Sequence, residues 1–433
     1  MPIPSLATDL DIFISHIDSM NDTLGFLMDG ISSLQKPSVL ALTQFLKEKC
    51  EEKTSDHGRT SYVVPPALLP RFRKLKSRSN RLSIAYRTLP RTFVVSLVSQ
   101  FDSFLGRLVR NLFYGRPELL NSSDRPLTFK QLNSFVSLED AREFIIEKEV
   151  ESLLRKSHVE QFEWLENKFG LPLRKGLGSW PTFVELTERR NLFVHCSGRV
   201  SSQYIEICRS NGVTLPDDVQ MGKELGVNKR YFRVAYECIY EIGVKLAHVL
   251  WRKILPDERA QADKTLVNNS VELIREKQYS LAKSLLEFAF DTVKKFHSEE
   301  YRRMLIINRS QAYKWSGEQQ RALDILTLED WSACDDRFKL AVRVIGGDFD
   351  GAAVLMANVG EKEISQTAYR DWPLFQEFQR SRAFLNAYET KFGEPFDLLD
   401  AEITETDLAE RTPEGATSPE APPTDGPADP MPT

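Results

Sequence analysis

At 433 residues the chain exceeds what one hydrophobic core usually organises, so two or three folded parts are expected. A composition of 41% hydrophobic and 27% charged residues excludes a fibrous or wholly disordered polymer. The formal net charge of −5 excludes little, because it hides an uneven distribution along the chain.

The first residues carry Asp9 and Asp11 and no basic start, so they do not read as a secretory signal. No apolar run approaches the roughly 20 residues that a membrane-spanning helix needs. A cytoplasmic protein with no membrane partner is the expectation. Residues 5–49 place Leu6, Leu10, Phe13, Ile17, Met20, Leu24, Leu27, Ile31 and Leu34 at helical steps, which predicts an N-terminal helical hairpin over 1–50, broken near Pro37. Glu51 to Pro70 reads as a loop with one short extended piece at Tyr62 to Val64.

From Arg59 to Gln100 there is no Asp or Glu, but there are Arg59, Arg71, Arg73, Lys74, Lys76, Arg78, Arg81, Arg87 and Arg91. Such a segment attracts phosphate backbones, which makes Arg73, Lys74, Lys76 and Arg78 candidate RNA-binding residues. It reads equally well as a solvated linker over 51–90 whose cations meet acidic surface elsewhere. A mostly α domain over 91–256 is predicted to follow, with one apolar stripe from Arg91 to Gly115 and further helices over 128–156 and 158–169. Another helix starts near Pro181 and stops at Gly198. Then come turns with a short strand, and a long closing helix from Asn228 to about Ile254.

Residues 263–400 read as helical and carry a weak repeat. Tyr279-x-x-Ala282, Gln319-x-x-Ala322 and Phe349-x-x-Ala352 are each followed by an apolar pair. The spacing straddles the roughly 34-residue period of tetratricopeptide repeats, which the region loosely resembles; ordinary antiparallel helical hairpins fit as well. Residues 402–433 hold seven prolines and eight acidic residues against Arg411, and read as a disordered tail.

The five cysteines form no C-x-x-C pair, and the six histidines form no zinc-spaced cluster, so neither a metal nor another cofactor is called for. One constellation remains. Arg190 and His195 share a helix with four residues between them, and no other histidine has an arginine at that offset. At 100° per residue Phe183, Leu186, Phe193 and Val194 form an apolar face with Arg190 in its middle, beside a polar stripe of Glu188, Asn191 and His195. A guanidinium there must find an anion, reach water or face another protein surface. A buried ion pair with Asp102 or Glu185, and a helix-end histidine satisfying the last carbonyls, are the alternatives to a site.

RRNLFVHCSGRV, followed by a long closing helix, resembles the R-x(4–6)-H motif of the HEPN superfamily over roughly 91–251, with Arg190, Asn191 and His195 at the motif positions. The resemblance implies a helical bundle, flanked here by the N-terminal helices and the tetratricopeptide-like array. It implies a metal-independent endoribonuclease in which the ribose 2′-hydroxyl attacks the adjacent phosphate, with Asp102 orienting the pair. It further implies a homodimer whose two motifs share one cleft. A toxin or antiviral defence effector would suit such an activity, its C-terminal region sensing a trigger or holding a protein partner. The competing reading is a non-catalytic interaction protein in which the bundle binds RNA or protein.

Overall fold

A computed structural model describes residues 5–54, 60–122 and 126–396; Arg59 and the expected tail over 402–433 lie outside them. The fold is mostly α, with one two-stranded hairpin among the described residues. Helix α1 (Leu6–Lys49) starts at Ser5, whose hydroxyl accepts the Thr8 N–H at 3.2 Å. Strands β1 (Glu51–Thr54) and β2 (Thr60–Val63) pair antiparallel and turn the chain back into α2 (Leu69–Gly115). α1 and α2 then run antiparallel for their whole lengths. Phe13 stacks on Phe104 with ring centroids 4.5 Å apart, His16 bonds Gln100 at 2.9 Å, Gln35 bonds Ser83 at 3.2 Å, and Phe45 stacks on Phe72 at 6.5 Å.

This arrangement corrects two expectations. Pro37 does not break a hairpin; it lies inside one continuous 44-residue helix. The basic stretch is not a linker either, since residues 69–90 are the first half of the 47-residue α2, with Pro90 inside it. A proline in a helix interior costs about 3 kcal/mol. Contacts with the facing helix on both sides of Pro37, at Gln35 and Phe45, hold the axis together across that defect.

α2 is the central helix of a bundle completed by α4 (Leu138–Leu154), α5 (His158–Phe169), α6 (Trp180–His195) and α8 (Lys229–Ile254), after a short α3 (Phe129–Leu132). Its apolar stretch is long enough to cross a membrane by length and composition. That stretch also carries Val94, Leu97, Val98, Phe101, Phe104, Leu105, Leu108 and Leu112, all fully buried in the bundle core. The first half of α1 belongs to the same core through Leu10, Phe13 and Ile17. At Gly243 of α8 a Cβ would stand 2.5 Å from the Phe13 ring, so this close approach requires glycine.

The helix expected over 128–156 is split, because Ser137 and Asp140 form a capping box that starts α4 afresh. Where a strand was expected after Gly198 the chain instead forms α7 (Ser202–Ser210), capped by Ser201; only an isolated bridge joins Arg199 to Glu224. An N-cap serine ahead of an amphipathic turn outweighed the β-prone residues there.

Beyond α8 the helices α9 (Arg259–Arg275) to α14 (Phe349–Asn358) form three successive pairs. Tyr279, Gln319 and Phe349 each begin the second helix of a pair, α10 (Tyr279–Phe288), α12 (Gln319–Thr327) and α14. Ala282, Ala322 and Ala352 are all fully buried, where a larger residue would separate the paired helices. α15 (Gln366–Asp371) and α16 (Arg382–Phe392) close the far end. The bundle core runs on into α9, α10 and α11 (Glu299–Trp315) without a break, so residue 256 is no boundary between cores.

Candidate functional site

α6 is built to end where its last side chain, His195, reaches solvent. Pro181 occupies its first turn, and Gly198, at φ +79°, donates its N–H to the Leu192 carbonyl at 2.9 Å to close the helix. A side chain at Gly198 would also crowd Arg91 and Phe193. Arg190 lies just over one turn before His195, and faces the second half of α2.

There Arg190 meets an anion. Its Nη2 donates to Asp102 Oδ2 at 2.7 Å, and its Nη1 donates to Asn191 Oδ1 at 3.1 Å. Asn191 passes the polarity on, its Nδ2 lying 3.4 Å from Glu188 Oε1. On the other side Asp102 Oδ1 pairs with His158 Nε2 at 2.9 Å. With Asp102 ionised, Nε2 is the donor. Five side chains from α2, α5 and α6 thus form one continuous chain of hydrogen bonds, His158 to Asp102 to Arg190 to Asn191 to Glu188.

The chain is rigidly housed. His158 is the first residue of α5, which begins at a capping box: the Glu160 carboxylate accepts the Ser157 N–H at 2.9 Å and the Ser157 hydroxyl accepts the Glu160 N–H at 3.4 Å. The His158 ring is almost fully buried and lies edge-on to Phe183, centroids 5.7 Å apart. Burial holds the Glu188 carboxyl above the usual carboxylate range, although the Asn191 hydrogen bond and the nearby His158 and Arg190 pull it down. Arg190 and Asp102 are partly open, with side chains 22% and 23% exposed.

These residues surround a cavity of about 370 Å³ whose walls include Asp102, His158, Glu188, Arg190, Asn191 and His195. Arg155 and Lys156 lie at the same cavity and supply positive charge. Arg190 uses two N–H groups on its neighbours; its Nε has no partner among the described residues. A guanidinium carries five N–H donors, so three have no hydrogen-bond partner among the described residues, the Nε–H among them buried. Asp102, not Glu185, is therefore the carboxylate that pairs with Arg190. Glu185 is occupied by Arg189 at 2.6 Å and by the hydroxyls of Tyr204 and Tyr231 at 2.6 and 2.8 Å. Burial and the adjacent carboxylate push both phenols up, which keeps them protonated as donors.

The four basic residues Arg73, Lys74, Lys76 and Arg78 are not at this cavity. They lie 24 to 29 positions before Asp102 on the same helix, which at about 1.5 Å per residue puts them roughly 36 to 44 Å away. Closeness in sequence becomes distance in space because the intervening chain is helical. Among the described residues none of Arg71, Arg73, Lys74, Lys76, Arg78, Arg81 and Arg87 pairs with a carboxylate, whereas Arg91 is bound to Glu224 at 2.7 Å.

Sequence reasoning missed His158 altogether and left Glu188 as a member of a stripe. A histidine 56 positions from Asp102 carries no local signal; only the helix start at Ser157 marks where its ring is anchored. Among the described residues no group of three or more His, Cys, Asp or Glu is placed to hold a metal ion. No family model, no curated protein and no solved structure matches the chain.

Proposed function

We propose that the chain is a metal-independent endoribonuclease of HEPN type, acting on RNA in the cytosol. The observation that carries this reading is the convergence of Arg190, Asn191 and His195 on one cavity with a carboxylate and a second histidine behind them. In the proposed mechanism the scissile phosphate sits against the free N–H groups of Arg190, which stabilise the charge that grows on the phosphoryl oxygens. His195, exposed at the end of α6, moves the proton from the attacking 2′-hydroxyl to the departing 5′-oxygen. The ribose 2′-oxygen forms the new bond to phosphorus and the 5′-oxygen of the next nucleotide leaves. The products are a cyclic phosphate and a 5′-hydroxyl. Asp102 and His158 are positioning residues that fix the Arg190 fork.

A second copy of the chain would supply the opposite wall of the cleft, next to the half-exposed Val194. An effector that arrests growth by cutting RNA is the cellular role this chemistry suits, with a protein partner on the C-terminal helix pairs. The test is to incubate the purified chain with an RNA oligonucleotide and with its fully 2′-deoxy counterpart. Cleavage of the RNA alone, leaving cyclic phosphate ends, is expected; cleavage of both would overturn 2′-hydroxyl attack.

One observation favours a second reading, a non-catalytic binding module. Both terminal nitrogens of Arg190 are already engaged within the chain, as in a structural ion pair. Expression of the wild-type chain separates the two. Growth arrest with RNA decay, absent for His195→Ala, supports the enzyme; equal growth with intact RNA supports the binding module.

A further inference from the structure

A second cavity, of about 600 Å³, lies where the bundle meets the C-terminal helices, between α8, the connection from α5 to α6, and α10 with the π-helical turn Ala289–Val293 that follows it. It shares no wall residue with the cavity at Asp102. Arg252 lines it with a side chain only 9% exposed. Its Nη1 donates at 2.5 Å to Asp263, a fully buried carboxylate whose other oxygen accepts the His297 N–H at 2.5 Å, so the guanidinium is held in one orientation. The Nε and Nη2 of Arg252 have no partner among the described residues. His248, about one turn earlier on α8 and also at the cavity, is fully buried with both ring nitrogens unpartnered. Unsatisfied donors on a buried guanidinium are costly, and a bound acceptor removes the cost.

The charge around them is unbalanced. Lys175, Lys253, Arg259 and Lys295 line the cavity with no acidic partner among the described residues. Of the two carboxylates in the wall, Glu287 is taken by Arg309 and Tyr313, which leaves Asp291. Burial and the neighbouring Arg259 lower the pKa of Arg252 despite Asp263, a strain that an anion would relieve. Part of that wall is apolar, formed by Phe162, Ile242, Leu246 and Phe288. A lone inorganic anion would leave that wall and most of the volume unfilled, and a single carboxylate would not balance the surplus of cations.

We infer that this cavity binds an organic phosphate carrying two or more negative charges on an apolar or aromatic body, with Arg252 and its neighbouring cations on the phosphates and Phe162 and Phe288 against the body. Nucleotides and prenyl or lipid phosphates share that chemistry.

Calorimetric titration of the full chain, without added metal, with ATP, farnesyl diphosphate and pyrophosphate tests it. At least one of the first two should bind at least about tenfold more tightly than pyrophosphate, and which one binds names the source. Arg252→Met should abolish binding, but it leaves Asp263 bare and can weaken the fold. The double variant Lys253→Ala with Lys295→Ala changes two exposed side chains, and should weaken binding about tenfold or more with an unchanged melting temperature. His195→Ala should bind as wild type does, which keeps this result independent of the ribonuclease reading. No saturable binding of either organic phosphate up to about 5 mM, equal binding of pyrophosphate, or an unaffected double variant would each overturn the inference.

Discussion

Arg190 is held by Asp102 and Asn191 through single bonds from its two terminal nitrogens, so what it offers a phosphate is the rest of a planar fork. Arg190→Lys keeps a charge opposite Asp102 and loses the fork. Single-turnover RNA cleavage is expected to fall about 100-fold with little change in melting temperature; a rate within about threefold of wild type would remove the fork from the mechanism. A different residue adds a pH-dependent contribution to folding. Burial pushes the Asp18 carboxyl up to about 6, and Asp22, Glu272 and Glu276 add to the rise, against the Tyr236 hydroxyl that donates to it at 2.6 Å. The native state therefore binds this proton more tightly than the unfolded chain. Its contribution is complete below about pH 4 and is lost as pH rises through about 6, a loss of about 3 kcal/mol at most by pH 7.5. Asn at this position can still accept from Tyr236. Asp18→Asn should raise stability by about 1–2 kcal/mol at pH 7.5 and leave it unchanged at pH 4, as read from denaturant melts; the same gain at both values would show that ionisation is not the cause.

At the scale of the element, α2 carries the site in its second half and, toward its start, a row of cations with no carboxylate partner among the described residues. Arg71 and Lys76 rest over the rings of Phe45 and Phe72, at 5.6 and 5.5 Å, while Arg73, Lys74 and Arg78 are exposed. Neutralising Arg73, Lys74, Lys76 and Arg78 together should weaken RNA binding and lower the log–log salt slope by about one for each lost phosphate contact. Because these cations stand roughly 36 to 44 Å from Asp102, the effect should appear with long RNA and vanish with oligonucleotides of about six nucleotides. The melting temperature should hold, since none of the four has an acidic partner among the described residues. Filter binding at several salt concentrations checks this, and an unchanged slope with long RNA would refute it. Elements with local signals were legible in the sequence: the proline start and glycine stop of α6, and the alanines that open the second helix of each C-terminal pair. Pro37 misled because a proline's cost is local and readable, whereas the antiparallel partner that offsets it lies far along the chain, as at Gln35–Ser83, 48 residues apart.

At the scale of the molecule, one core joins α1, the bundle and the first C-terminal helices. Composition could not reveal this, because the continuity lies in contacts such as those of Ala262, Leu266 and Leu285. The motif residues Arg190 and His195 were legible because they share one helix; His158 was not, since its meaning comes from Asp102 on another. Two truncations separate core from appendage. Removing residues 402–433, a proline-rich acidic segment, should leave melting temperature and oligomeric state unchanged. Ending the chain at residue 256 should instead destabilise the bundle by several kcal/mol, since it uncovers the faces that α9 and α10 bury. A large drop on tail removal, or a 1–256 fragment as stable as the whole, would contradict this division.

The most direct measurement is single-turnover cleavage of one RNA, in excess chelator, by the wild-type chain and by His195→Ala, with the product ends identified. Wild type should cut and leave cyclic phosphate and 5′-hydroxyl ends without added metal, and His195→Ala should be slower by at least about 100-fold while melting at the same temperature. Equal rates for the two chains, or cleavage that EDTA abolishes and magnesium restores, would contradict a metal-independent site at Arg190 and His195.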